Sequence, residues 1–134
     1  MTVYALDTNI LSFLLKEDER VNNNADVATR NGHELIIPPI ADYEVQRGLL
    51  AKRMTKKLHQ YLEFRQSLCV GTFDEDVWQK AAHIYASLIQ QGNPIDDADI
   101  LIAAFCLVND CTLVTNNKRH FQNINDLKFV DWKE

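Results

Sequence analysis

Apolar residues along this chain fall into short blocks that alternate between the two periods of regular structure. Thr2 to Leu6 is a compact, β-branched run that reads as a strand and stops abruptly at Asp7-Thr8-Asn9. Ile10 to Lys16 and Glu19 to Asn31 read as helices, the second stopped by Gly32. Glu34 to Ile37 is a second strand, closed by Pro38-Pro39, and from Ile40 the pattern turns helical through Tyr43, Leu49 and Leu50. Thr55 to Leu68 places Leu58, Tyr61, Leu62, Phe64 and Leu68 at helical spacing, and Cys69 to Phe73 is a third strand candidate. Asp74 has the place of an N-cap for a helix from Glu75 to Gln91, which Gly92 ends. Ile100 to Val108 is apolar almost all round and predicts a central buried helix. Cys111 to Val114 follows as a fourth strand, then a helical turn at Lys118 to Phe121 and a fifth strand at Lys128 to Val130.

Strands alternating with helices imply an α/β fold of three layers, with a mainly parallel sheet of four or five strands flanked by helices. No repeat, low-complexity tract or linker interrupts the 134 residues, so the expectation is one domain over 1–134. Cys69, Cys106 and Cys111 are an odd number without zinc-ligand spacing. Asp7 breaks the first apolar run, and nothing approaches the roughly 18–20 apolar residues of a membrane span. The expectation is a cytoplasmic protein with reduced thiols and no membrane contact.

Lys plus Arg is 14 and Asp plus Glu is 19, a net charge of −5. An acidic total argues against a passive nucleic-acid binder with a broad basic face, but not against an enzyme whose carboxylates hold cations. Ligands of open parallel sheets bind outside the carboxyl ends of the strands. Asp7-Thr8-Asn9 and Thr115-Asn116-Asn117 occupy two such ends. Asp7 also fits a helix cap, although Thr8 or Asn9 stands nearer the predicted helix. Asp96-Asp97-Ala98-Asp99 opens the buried helix; Asp96 and Asp99 have capping-box spacing, but three crowded acids repel unless a cation offsets them. Asp99 is the favoured functional acid there, Asp97 supports it and Asp96 reads as the cap. Glu44 alone reads as an ordinary helical Glu paired with Arg47 at i,i+3.

Leu6-Asp7-Thr8-Asn9, Glu44 with Gly48, Gly92-Asn93-Pro94-Ile95 before Asp99-Ile100-Leu101-Ile102-Ala103-Ala104, and Leu113-Val114-Thr115-Asn116-Asn117 together resemble a PIN-domain ribonuclease of the VapC toxin type. The resemblance spans essentially the whole chain. It implies an endoribonuclease using Mg²⁺ or Mn²⁺, with Asp7, Glu44 and Asp99 as catalytic and metal-binding acids and Asp97 as a further candidate ligand. Many such domains place a fourth acid shortly after the Thr of the fourth strand. Here Asn116 and Asn117 stand there, and His120 occupies a position where relatives often have an acid, so a two-metal site lacks one carboxylate. Hydrolysis by an activated water would leave a 5′-phosphate and a 3′-hydroxyl. Thr8, Asn9, Thr115, Asn116 and Asn117 are expected to bond to the carboxylates or to phosphate.

RNA needs positive charge nearby, and Arg47, Lys52 and Arg53, with Lys118 and Arg119 beside the fourth strand end, are the expected contacts. His120 reads as a surface or RNA-contacting residue. The resemblance also implies a cognate VapB-like antitoxin, a homodimer and a higher toxin–antitoxin complex, with the apolar positions of Thr55 to Leu68 as candidate interface. A tRNA is the substrate it suggests. The rival reading is a degenerate PIN module that binds RNA or protein without cutting. Receiver and haloacid-dehalogenase readings fail on the absent acid pair and on Asn9 standing where the latter requires an acid.

Overall fold

The structure, a computed structural model, describes residues 1–134. In chain order the elements are β1 (Val3–Leu6), α1 (Thr8–Leu15), α2 (Glu19–Arg30), β2 (Glu34–Ile37), α3 (Pro39–Ala51), α4 (Thr55–Gln66), β3 (Cys69–Val70), α5 (Glu75–Gln91), α6 (Asp97–Val108), β4 (Thr112–Val114), α7 (Lys118–Phe121) and β5 (Phe129–Val130). All five strands pair in parallel, in the order β3-β2-β1-β4-β5. Successive strands thus run outward from β1 in one direction to β3, then return past it to β4 and β5. Right-handed crossovers send helices to opposite faces when that direction reverses, which yields the three layers. The reversal leaves a crevice between β1 and β4, the usual place for a ligand in such a sheet.

Local chemistry explains the element boundaries. Asp74 accepts a hydrogen bond from Val77 N at 3.2 Å to start α5, and Gly92 ends it at φ 75°, a left-handed conformation costly for residues with a Cβ. Pro39 occupies the first turn of α3, where no intrahelical donor is lost. The predicted third strand is shorter than its apolar run: pairing covers only Cys69 and Val70 against Ile36 and Ile37. Gly71 then lies so close to the Phe105 ring that a Cβ would stand 2.4 Å from Cζ, so a tertiary approach sets the strand's exit.

α6 is the centre of the core, with Ile102, Ala103, Ala104, Phe105 and Cys106 almost wholly enclosed. It packs along α5 and also touches α3, β4 and α7. On α4, Tyr61 is fully buried and Leu58 is half-buried, while Leu62 and Phe64, with Leu68 just beyond the helix, are half-buried against the core. Of that apolar face, Tyr61 alone is wholly enclosed, and the rest keeps part of its surface exposed. Exposed large apolar side chains include Tyr43 and Leu50 on α3 and Trp78, Tyr85 and Ile89 on α5. No helix is long and apolar enough to cross a membrane.

Candidate active site

Leu6 pairs with Val114 at the end of β1 and β4, and Asp7 N donates to Val114 O at 3.0 Å. This register places Asp7 beside Thr115, both buried, at the mouth of the crevice. Asp7 uses its two carboxylate oxygens differently. Oδ1 accepts from Thr8 N at 2.7 Å and caps α1, while Oδ2 accepts from the Thr115 hydroxyl at 2.8 Å. The sequence expectation that Thr8 or Asn9 would cap is thereby corrected: the cap and the candidate ligand are the same side chain.

Glu44 reaches this mouth from the second turn of α3. Its Oε1 accepts from Thr8 Oγ1 at 2.7 Å, and Oε2 lies 3.5 Å from the Arg47 guanidinium, which also sits over the Tyr43 ring. Asp99, in the first turn of α6, is half-buried with Oδ2 2.8 Å from His120 Nδ1. His120 comes from α7, directly beyond the β4 end. The sequence reads His120 as a surface or RNA-contacting residue; its side chain is exposed as that implies, but the pairing with Asp99 is missed. Its position after a strand end was the available signal, but only the fold shows which acid it meets.

Charge ties these groups together. Burial first raises the Asp7 carboxyl from 3.8 to about 6, Asp99 and Glu44 add to the rise, and Thr115 and Thr8 N oppose it. Burial also raises Asp99; His120 pulls it down, whereas Asp96 and Glu44 push it up. Asp7, Glu44 and Asp99, brought from three separate elements, thus form one electrostatic cluster. Asp97, expected as the supporting ligand, is exposed and joins none of these interactions. Asp96, expected as the cap, occupies the N-cap position but makes no side-chain capping bond. Its charge acts on Asp99 because i,i+3 residues share a helix face.

The amides frame the opening. Asn9 Nδ2 donates to Asn116 Oδ1 at 3.4 Å across the two strand ends, and Asn117 N donates to Thr115 Oγ1 at 3.0 Å. Among the expected RNA contacts, Lys52, Arg53 and Arg119 form no ion pair, while Lys118 is bonded to Glu134. Arg65, in the last turn of α4, is held by Asp42, which also accepts from Tyr61 and Gln46.

The PIN domain family pattern matches residues 4–127. This chain belongs to the PIN domain family. Relatives along nearly its whole length are of the VapC type: Ribonuclease VapC2 of Rickettsia felis is 28% identical over 132 residues, 97% of this chain and 98% of its own length. The tRNA(fMet)-specific endonuclease VapC of Shigella flexneri is 29% identical over 136 residues, 98% of this chain and 99% of its own. Among solved structures, the crystal structure of Rickettsia felis VapBC2 bound to a DNA fragment from their promoter has a chain that superposes with a TM-score of 0.90 at 27% identity. That match covers 98% of this chain and 99% of the other. The acidic cluster of this VapC-type PIN domain lies at the switch point of its sheet, where ligands of parallel α/β folds are held.

The donor set of that cluster suits a hard divalent cation. It offers carboxylate oxygens, and its charges repel one another without a cation between them. No three acids, histidines or cysteines stand close enough together to hold an ion between them. Any ion held here would have to bind as Mg²⁺ does, through one or two carboxylates with several waters kept.

Proposed function

We propose that this PIN domain is a Mg²⁺- or Mn²⁺-dependent endoribonuclease toxin that hydrolyses RNA and is restrained by a cognate VapB-like antitoxin. The supporting observation is the convergence of Asp7, Glu44 and Asp99 at one sheet edge, with the buried Asp7 carboxyl pushed up to about 6 by its surroundings. Perturbed acids grouped in a crevice are a mark of a working site. The names of the VapC relatives support the activity, and the Shigella relative's name supports a tRNA as the target class. VapBC complexes among the structural neighbours support the antitoxin; a homodimeric toxin acting in the cytoplasm belongs to the same reading.

When bound, a divalent cation supplies water activation and neutralises charge on the phosphoryl and leaving oxygens. Asp7 and Asp99 would hold it, with Glu44 bound directly or through water. Thr115 and Thr8 N favour the ionised form of Asp7 against the cost of burial. Thr8 fixes Glu44 through Oε1, so one residue positions two acids. His120 orients Asp99 through Oδ2 and leaves Oδ1 without a hydrogen-bond partner. Asn9 and Asn116 place amides at the rim, where phosphate oxygens would pass.

The open spacing of the carboxylates favours one alternative, a PIN module that binds RNA without cutting it. Mapping RNA 5′ ends after brief expression of wild type and Asp7→Asn decides between them. The nuclease reading expects new 5′-phosphate ends with wild type alone. Identical end maps for the two proteins would overturn it.

A further inference from the structure

The basic side chains of this chain are unevenly paired. Arg47, Arg65, Lys118, Lys128 and Lys133 each face a carboxylate. Lys16, Lys52 and Lys57 face none, and none of their ammonium groups donates a hydrogen bond. These three unpaired lysines come from separate places in the sequence. Lys16 caps the end of α1, Lys52 caps the end of α3 and Lys57 lies in the first turn of α4. The fold brings all three to one cleft of about 310 Å³, whose wall also includes Thr8, Ser12 and Glu44.

Two features of this cleft matter together. Thr8 and Glu44 are shared with the acidic centre, joined there by the 2.7 Å hydrogen bond, so the cleft opens directly from the site. Three like charges around one cavity repel one another, and an anion seated between them removes that repulsion. The hydroxyl of Ser12 adds a neutral donor in the same wall. On the other side of the centre, α7 has Lys118 tied to Glu134, leaving Arg119 as its one unpaired cation. A polyanionic strand crossing the site therefore meets three free cations on one side and one on the other.

We propose that the Lys16, Lys52 and Lys57 cleft seats a backbone phosphate next to the scissile one, so that the RNA strand leaves the acidic centre over α1, α3 and α4 and not over α7. The proposal rests on the nuclease reading and adds a direction and a subsite to it. Lys52 is among the RNA contacts expected from sequence; Lys16 is not, and is recruited by the fold alone. Because lysine recognises phosphate as a point charge, the cleft serves any RNA sequence.

Binding of a fluorescein-labelled oligouridine to the full chain in EDTA, across a range of salt concentrations, tests this. For single strands the slope of log affinity against log salt changes by about 0.7 for each phosphate that the protein neutralises. Lys16→Gln/Lys52→Gln/Lys57→Gln should flatten the slope by about 0.7, the value for one phosphate held jointly; a change of roughly 2 would mean that each lysine holds its own phosphate and would overturn the single seat. The corresponding triple Lys→Arg variant should keep the wild-type slope, and Arg119→Gln should change it less than the triple Gln variant does. Cleavage of the same RNA with Mg²⁺ is measured in parallel. If wild type binds and cuts while the triple Gln variant keeps its slope, the cleft assignment falls alone and the cleft is left to an acidic protein partner. A wild type that neither binds nor cuts RNA removes the nuclease reading and the cleft assignment with it.

Discussion

Asp7→Asn exchanges one oxygen for an amide of nearly the same shape. Asn is as good a helix cap as Asp, so its carbonyl still accepts from Thr8 N, and its amide can donate to the Thr115 hydroxyl oxygen. The change in charge is the large effect. In the folded chain the Asp7 carboxyl lies at about 6 against an ordinary 3.8, with burial as its first cause. Between those values the folded chain keeps a proton that the unfolded chain has lost. Stability therefore falls as pH rises through 3.8 to about 6, and the loss is complete above that window. At 1.36 kcal/mol per pKa unit the charged Asp7 costs about 3 kcal/mol at neutral pH. Asn avoids that cost but must still bury an amide, so the expected gain is on the order of 1–3 kcal/mol.

Urea unfolding of the metal-free protein, followed by tryptophan fluorescence, measures this. Asp7→Asn should unfold at higher urea than wild type at about pH 7.5 and at nearly the same urea at about pH 3.5. Added Mn²⁺ should narrow the gap at neutral pH by stabilising wild type alone. A mutant no more stable than wild type at neutral pH in EDTA would refute the claim that Asp7 is held charged against its surroundings.

Thr115→Val removes the donor that most favours ionised Asp7, so the acidic limb of the kcat/KM profile for RNA cleavage should move to higher pH. The same change leaves Asn117 N without its Thr115 acceptor and should cost about 1–2 kcal/mol in urea unfolding. Tyr61→Phe deletes one of three donors to Asp42 and should cost about 1 kcal/mol. Asp42→Ala should cost about 2–3 kcal/mol, mostly from the buried Tyr61 hydroxyl left unpaired, because Arg65 remains partly solvated. Gly71→Ala drives a methyl into the Phe105 ring and should cost about 1–3 kcal/mol by thermal unfolding; an unchanged midpoint would contradict the close approach.

Elements defined by local chemistry are legible in the sequence. α5 runs from Glu75 to Gln91 as expected, because Asp74 and Gly92 carry its two ends within a few residues of themselves. β3 is shorter than its apolar run suggests because its limit is the approach of Phe105, more than thirty positions along the chain. The cap of α1 escapes a reading that gives each side chain one role, whereas a carboxylate has two oxygens and Asp7 uses both. The i,i+3 spacing of Asp96 and Asp99 is plain in the sequence. Burial of Asp99 makes that partnership a repulsion and not a capping box. Nothing local shows His120 against Asp99 or Lys16 beside Lys52 and Lys57, since those meetings are made by the crossovers.

The central claim is that Asp7, Glu44 and Asp99 form one metal-dependent centre that cuts RNA. Its most direct test is cleavage of 5′-labelled RNA by purified wild type, Asp7→Asn and Asp99→Asn, each shown to be folded, with Mg²⁺ or with EDTA. Wild type should cleave in Mg²⁺ and not in EDTA, and both variants should lose activity by at least about 100-fold. Full activity in either folded variant, or undiminished cleavage by wild type in EDTA, would contradict it.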